Sequence, residues 1–145
     1  MTSYVAAELR RVVVARADGL CEYCLIHEAD TWLGCQVDHV ISEKHGGPTS
    51  AENLAYACVY CNRRKGTDLG SIAASTGHFV RFFNPRADRW SEHFRISGAR
   101  IEPLTEIGEV TIRIFDINSA ERLLEREALI AIGRFPCPGA VAWLT

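Results

Sequence analysis

The chain of 145 residues has no long apolar run. Near its start the longest uninterrupted apolar stretch covers residues 12–15, between Arg11 and Arg16, too short for a bilayer span or the core of an export signal. Internal repeats and low-complexity tracts are absent as well, and composition excludes disordered, collagen-like and mucin-like readings. Lysine is scarce, two residues against fourteen arginines, and the formal net charge is only −2, so binding through bulk positive charge is not expected. Six cysteines without an export signal fit metal ligands or free thiols better than disulfides and place the protein in the cytoplasm. Hydrophobic residues at 48% and charged residues at 23% are those of a globular domain able to bury a core.

Charge is distributed unevenly. Residues 81–100 hold Arg81, Arg86, Arg89, Arg95 and Arg100 against Asp88 and Glu92, while residues 102–127 hold seven acids against three arginines. Arginine's planar fork suits phosphate, and the acidic stretch suits a protein partner.

Periodicity gives an element order. Residues 3–17 read as a helix, with Val5, Leu9, Val12, Val13 and Arg16 at three- and four-residue steps, Thr2 or Ser3 as cap and Gly19 as stop. Residues 32–38 alternate, with Leu33, Cys35 and Val37 on one face and Gly34, Gln36 and Asp38 on the other, as in a half-buried strand. A loop at residues 45–48, a second short strand at 54–57 and a helix from Cys58 to Gly66 follow. Downstream, residues 94–103 read as a hairpin turning at Ser97 and Gly98, residues 109–117 as a β-branched strand, and residues 118–132 as a helix with Asn118 and Glu121 in a capping-box variant.

Two C-x-x-C knuckles, Cys21 with Cys24 and Cys58 with Cys61, offer four thiolates to one tetrahedral zinc ion. Their separation requires a structural unit looped out between them, and the strand, loop, strand stretch is that unit. Redox motifs or disulfides are the competing reading. Cys35 is expected in the core and Cys137, between two prolines, as an exposed thiol.

Asp38 and His39 lie where the first strand ends. Neighbours in a regular strand point to opposite faces, so both can serve one site only if the pleat breaks at His39. On the following helix Cys58, Cys61, Asn62 and Lys65 fall at i, i+3, i+4 and i+7 and share a face, so zinc at the knuckle would fix where Asn62 points. Arg63, Arg64 and Lys65 stand where they could hold backbone phosphates. Taken singly, His39 reads as a core histidine, Asp38 as a strand-end acid, Asn53 as a turn residue, Asn62 as a surface amide and the basic triplet as a solvated helix face. In order, and framed by the knuckles, they read as a site.

Asp38-His39-Val40-Ile41, Gly46-Gly47-Pro48-Thr49, Glu52-Asn53-Leu54 and Cys58-x-x-Cys61-Asn62-x-x-Lys65-Gly66 together resemble the HNH endonucleases. The resemblance covers about residues 21–66 and implies an α+β fold: a ββα-metal core in residues 1–70 with zinc knuckles and an N-terminal helix, and a mixed C-terminal extension in residues 71–145 packed on it. It implies that Asp38 and Asn62 bind a catalytic divalent ion, that His39 is the general base and that Asn53 holds the loop carrying His39. Carboxylate and amide oxygens suit Mg²⁺ or Mn²⁺. The implied activity is DNA phosphodiester hydrolysis leaving 5′-phosphate and 3′-hydroxyl ends; a symmetric homodimer would convert nicks to double-strand breaks. The alternative is a zinc-knuckle module that binds nucleic acid or protein without cutting. Phe83-Asn84-Pro85-Arg86 with Trp90 and His93-Phe94 is similar to the tail of a group of bacterial HNH proteins, with no role attached.

Overall fold

A computed structural model describes residues 4–145. Helix α1, Ala7–Ala17, leads to a knuckle loop, and then β1, Cys35–His39, pairs antiparallel with β2, Leu54–Cys58. Helix α2, Val59–Lys65, follows β2 without a break. Two further hairpins follow, β3 (Gly70–Ile72) with β4 (Phe79–Arg81) and β5 (Phe94–Ser97) with β6 (Arg100–Pro103), the second preceded by the single-turn α3, Trp90–His93. Helices α4 (Glu106–Ile114), α5 (Ala120–Ala131) and the short α6 (Val141–Leu144) complete an α+β fold. Among the described residues no helix is long and apolar enough to cross a membrane.

The β1–β2 ribbon is covered on both sides. Val37 faces Tyr56 and His39 faces Leu54 across the ladder, and Leu54 and Tyr56 pack with Val13 and Ala17 of α1. The alternate residues, Gln36 and Asp38, turn to α2, where Asn62 and Lys65 receive them. Asp38 and His39 therefore stand on opposite faces of a regular strand, and the expected pleat break is not there: the register runs unbroken to the His39–Leu54 pair.

A larger core joins the knuckle cysteines to Phe83, Trp90, Phe94, Ile101, Val110 and Phe115. Tyr23 of the first knuckle packs edge-on against Phe83 and Phe115, with ring centroids 6.3 and 5.0 Å away. The C-terminal half is thus built around the cysteine pairs.

Several sequence expectations are corrected. The opening helix starts at Ala7 with no side-chain cap; Thr2 and Ser3 lie outside the described residues, Val12 is on the exposed side, and the stop is Asp18, in the left-handed region just before Gly19. The first strand is shorter than expected, because Trp32 and Leu33 stand exposed before Gly34. Residues 109–117 are not a strand. Thr105 caps α4 by accepting from Gly108 N–H at 3.2 Å, and Ile107, Val110, Thr111 and Ile114 form a helical stripe that overrides β-branched preference. Gly108 is obligatory there, since a Cβ would lie 2.2 Å from the His93 carbonyl oxygen.

The last long helix is capped by Ser119, whose hydroxyl accepts from Arg122 N–H, so Glu121 falls one position short of a capping box. Asn118 instead exchanges two hydrogen bonds with the Ile101 backbone, at 3.0 and 2.7 Å. The second hairpin turns at Gly98 and Ala99, one residue later than expected. Cys137 is buried against Leu20 and Ala140, because its segment folds back over the end of α1.

Candidate active site and metal centre

The four knuckle cysteines are wholly buried, and their sulfurs lie within 4.8 Å of one another. Cys24 Sγ and Cys58 Sγ are 3.7 Å apart, where thiolates on a tetrahedral zinc ion stand about 3.8 Å apart. In each knuckle the backbone N–H of the second cysteine donates to the first sulfur, Cys24 to Cys21 at 3.4 Å and Cys61 to Cys58 at 3.5 Å. No disulfide forms among the described residues. Burial pushes the Cys21 thiol well up, while hydrogen bonds from the other three cysteines hold Cys24 well down. Four thiols this close do not ionise together without a cation, and the all-sulfur donor set fits zinc.

Sequence reasoning missed Arg122. Its guanidinium, on a residue 3% exposed, reaches from α5 to Cys24 Sγ at 3.2 Å, Cys58 Sγ at 3.7 Å and Cys61 Sγ at 3.9 Å. Burial works against its charge, yet Cys24, Cys61 and Cys58 outweigh burial and raise its pKa. The guanidinium also lies over the Tyr60 ring, 4.9 Å from its centroid, and Glu125 accepts from its Nε at 3.2 Å. No local pattern marks an arginine 61 residues from the nearer knuckle; the signal that was available is its place with Arg126 at an i, i+4 step on what becomes the buried side of α5.

The Asp-His pair borders a cavity of about 590 Å³ lined by Asp38, His39, Ser42, Glu43, Lys44, Asn62, Gly66 and Thr67. Asp38 is buried on its wall, its Oδ2 in an ion pair with Lys65 Nζ at 3.1 Å and without a further hydrogen bond. Burial raises the Asp38 pKa, and Lys65 opposes that shift. Asn62 donates from Nδ2 to Gln36 Oε1 at 2.6 Å, which leaves its amide oxygen for another partner. A buried carboxylate oxygen without a hydrogen bond and an amide oxygen on one cavity wall fit a hard divalent cation.

His39 reaches this cavity from the opposite face because it is the last residue of β1. Its Nε2 lies 2.8 Å from Thr49 Oγ1 and 3.9 Å from Glu43 Oε1. On the α1 side it also borders a cavity of about 580 Å³ with Tyr4, Arg10, Gln36 and Val37. Asn53 binds the chain beyond His39: Oδ1 accepts from Ile41 N–H at 3.0 Å, and Nδ2 donates to the carbonyls of Ile41 and Pro48, each at 2.9 Å. Gly47 makes this closure possible, since a Cβ there would lie 1.7 Å from the Ile41 carbonyl oxygen. Thr49 and Gly47 are the residues here that sequence reasoning assigned no role, although both lie in the loop motif it quoted.

The basic triplet is divided. Arg63 is exposed, Arg64 is exposed beside Asp116 at 3.5 Å, and Lys65 is 2% exposed. Lys65 spends its ammonium on Asp38 and on the His39 carbonyl at 2.8 Å, so it does not face a phosphate backbone, and that expectation is corrected. The cationic stretch is partly neutralised: Arg81 grips Asp88 through two nitrogens at 2.7 and 2.9 Å, and Arg86 pairs with the fully buried Glu22. The Phe83-Asn84-Pro85-Arg86 segment is a clasp on the first knuckle. Arg86 holds Glu22, whose Oε2 accepts from Tyr56 N–H at 2.8 Å, and Trp90 Nε1 donates to the Tyr23 carbonyl at 2.9 Å.

Residues 21–68, from the first knuckle to just past α2, match the family model described as HNH endonuclease. That segment, about a third of the chain, is similar to the HNH endonuclease domain, and the remainder lies outside the match. No curated protein and no solved structure matches the chain.

Proposed function

We propose that the chain is a metal-dependent DNA endonuclease whose products carry 5′-phosphate and 3′-hydroxyl ends. The observation that carries this reading is the convergence of Asp38, His39 and Asn62 on one cavity, with Asn53 fastening the loop behind them. Asp38 and Asn62 hold a Mg²⁺ or Mn²⁺ ion, which supplies charge stabilisation for the phosphate and the leaving oxygen. Thr49 Oγ1 holds Nε2 of His39, and in the tautomer in which Nε2 donates to it the lone pair is on Nδ1, the form that would take a proton from water. Asn53 keeps the ring at its height over the cavity. Arg63, next to Asn62, and Arg10, beside His39, contact the DNA backbone, positioning it without reading sequence. The knuckle cysteines bind structural zinc and thereby set the start of α2 and the place of Asn62.

The test is conversion of supercoiled plasmid to nicked product with Mg²⁺, Mn²⁺ or EDTA, followed by DNA ligase. Metal-dependent nicks that ligase reseals are expected; nicks resealed only after kinase and phosphatase treatment mean that the other ester bond is cut. One observation favours the alternative, a DNA- or protein-binding module that does not cut: the Lys65 ammonium already lies against Asp38. Zinc-loaded protein that shifts DNA yet leaves plasmid intact with every metal establishes that alternative.

A further inference from the structure

Helix α5 is inverted in polarity. Its buried residues are Arg122 and Arg126, while Leu124 and Ile130 are exposed. Both arginines come from the half of the chain outside the matched segment. Arg126 is spent on backbone, donating to the Ala99 and Ile117 carbonyls at 2.6 and 2.7 Å. Arg122 instead turns its nitrogens to three of the four knuckle sulfurs.

A guanidinium on a residue only 3% exposed is strongly unfavourable against neutral acceptors, since thiols and disulfide sulfurs accept hydrogen bonds weakly. Glu125 faces one edge of it, and the edge toward the sulfurs is then uncompensated unless they are anionic. Four thiolates on one Zn²⁺ leave a net charge of −2 in a fully buried place, a mirror-image cost. Each charge answers the other.

We infer that Arg122 is the fixed counter-ion of the zinc tetrathiolate, so that the C-terminal extension controls how firmly the nuclease core retains its metal. The inference rests on the zinc reading of the cysteine cluster. Hydrogen bonds from a cation draw electron density from the sulfurs, which makes them poorer nucleophiles and slower to be protonated away from the metal. The same side chain screens Cys24, Cys58 and Cys61 from one direction and, through Tyr60, is stacked on the first turn of α2. Arg122 is thus a positioning residue that touches neither substrate nor the catalytic cavity.

The experiment uses the full chain with zinc or cobalt as the probe. Zinc content of the purified protein comes first: a chain without zinc overturns the zinc reading itself. With zinc at one per chain, Arg122→Leu, Arg122→Lys and Leu129→Ala are compared with the parent. Leu129 packs on the same core from the same helix, and its apolar side chain can donate no hydrogen bond to sulfur, so it reports helix docking. Zinc transfer to excess chelator is expected to be at least about 10-fold faster for Arg122→Leu, with Arg122→Lys between it and the parent and Leu129→Ala close to the parent. In the cobalt-substituted chains the thiolate-to-metal charge-transfer band is expected to move to lower energy in Arg122→Leu and to stay in place in Leu129→Ala. If Arg122→Leu does not fold, Arg122→Lys carries the test by the same two readouts. Unchanged zinc transfer and an unmoved cobalt band in the folded Arg122 variants overturn the inference, as does a Leu129→Ala chain that loses zinc as fast as they do.

Discussion

Lys65 Nζ lies 3.1 Å from Asp38 Oδ2 and donates to the His39 carbonyl at 2.8 Å, so one buried ammonium ties the end of α2 to both members of the Asp-His pair. Its charge opposes the upward shift that burial gives the Asp38 pKa, and it stands where the proposed divalent ion would bind. Removing one partner of a buried ion pair typically costs about 3–5 kcal/mol. Lys65→Met is expected to lose stability on this scale without divalent ions. Mn²⁺ then takes over the charge of Asp38, so it should raise the melting temperature of the variant more than that of the parent. Thermal unfolding with and without Mn²⁺ checks this; a variant that melts like the parent, or gains nothing from Mn²⁺, removes the case for Asp38 as ligand.

His39 and Thr49 can be separated by kinetics. His39→Ala removes the proton acceptor and leaves Asp38 and Asn62 in place, so the nicking rate should fall by about 10² or more with zinc content unchanged. Thr49→Val keeps the shape and removes the hydrogen bond to Nε2, worth about 1 kcal/mol, so it should cost about 5-fold. Single-turnover nicking rates decide between the roles: a His39→Ala chain cutting at the parental rate ends the assignment of His39 as base.

The order of elements in residues 21–66 was legible because three local signals coincide there: alternation in β1, glycines in the loop, and cysteine pairs at fixed spacing. Asn53 owed its assignment to the family resemblance, and its task, bonding the loop at Ile41 and Pro48, is a short-range one. Lys65 was misplaced because its helical spacing shares a face with Asn62, and spacing does not say that the face is buried against Asp38. Residues 109–117 misled through β-branched composition, when the deciding signals were the cap at Thr105 and the tight seat of Gly108 on the His93 carbonyl. Arg122 and Arg86 were illegible in principle. Their partners, Cys24 and Glu22, lie 98 and 64 residues away, and pairing over such distances exists only after folding.

Arg86 and Glu22 are expected to behave as a unit. Burial raises the Glu22 pKa, and Arg86 with the Tyr56 N–H opposes it. Arg86→Met leaves a fully buried carboxylate without its cation and should destabilise by about 3 kcal/mol. Glu22→Gln in the same chain should recover part of the loss, because the amide oxygen still accepts from Tyr56. Urea unfolding of the two single variants and the double variant measures the coupling, and strictly additive losses would show that the clasp on the first knuckle does not depend on this pair.

Asp88 gives a pH dependence with a definite sign. Both guanidinium nitrogens of Arg81 and the Asn84 N–H, at 2.9 Å, donate to its carboxylate, and the Arg81 hydrogen bonds are the largest cause holding its pKa below the ordinary range. The unfolded chain therefore binds this proton more readily than the folded one, and stability rises with pH through the window between the two pKa values. The contribution is complete above the unfolded value of about 3.9 and disappears as pH falls through the depressed folded value. Because Arg81 is half exposed, solvent screening keeps the gain near about 1 kcal/mol. Asp88→Asn should therefore be less stable than the parent by that amount between pH 5 and 7 (about one unit or more above the unfolded pKa), with the gap closing as the medium is made more acid. Metal lost from the cysteine cluster at low pH affects both chains alike and cancels in the difference. Urea unfolding of parent and variant from pH 7 down to about pH 3 reads the gap directly, and a gap that stays constant down to the acid end would mean that the amide is disfavoured at this position for its shape rather than for its missing charge.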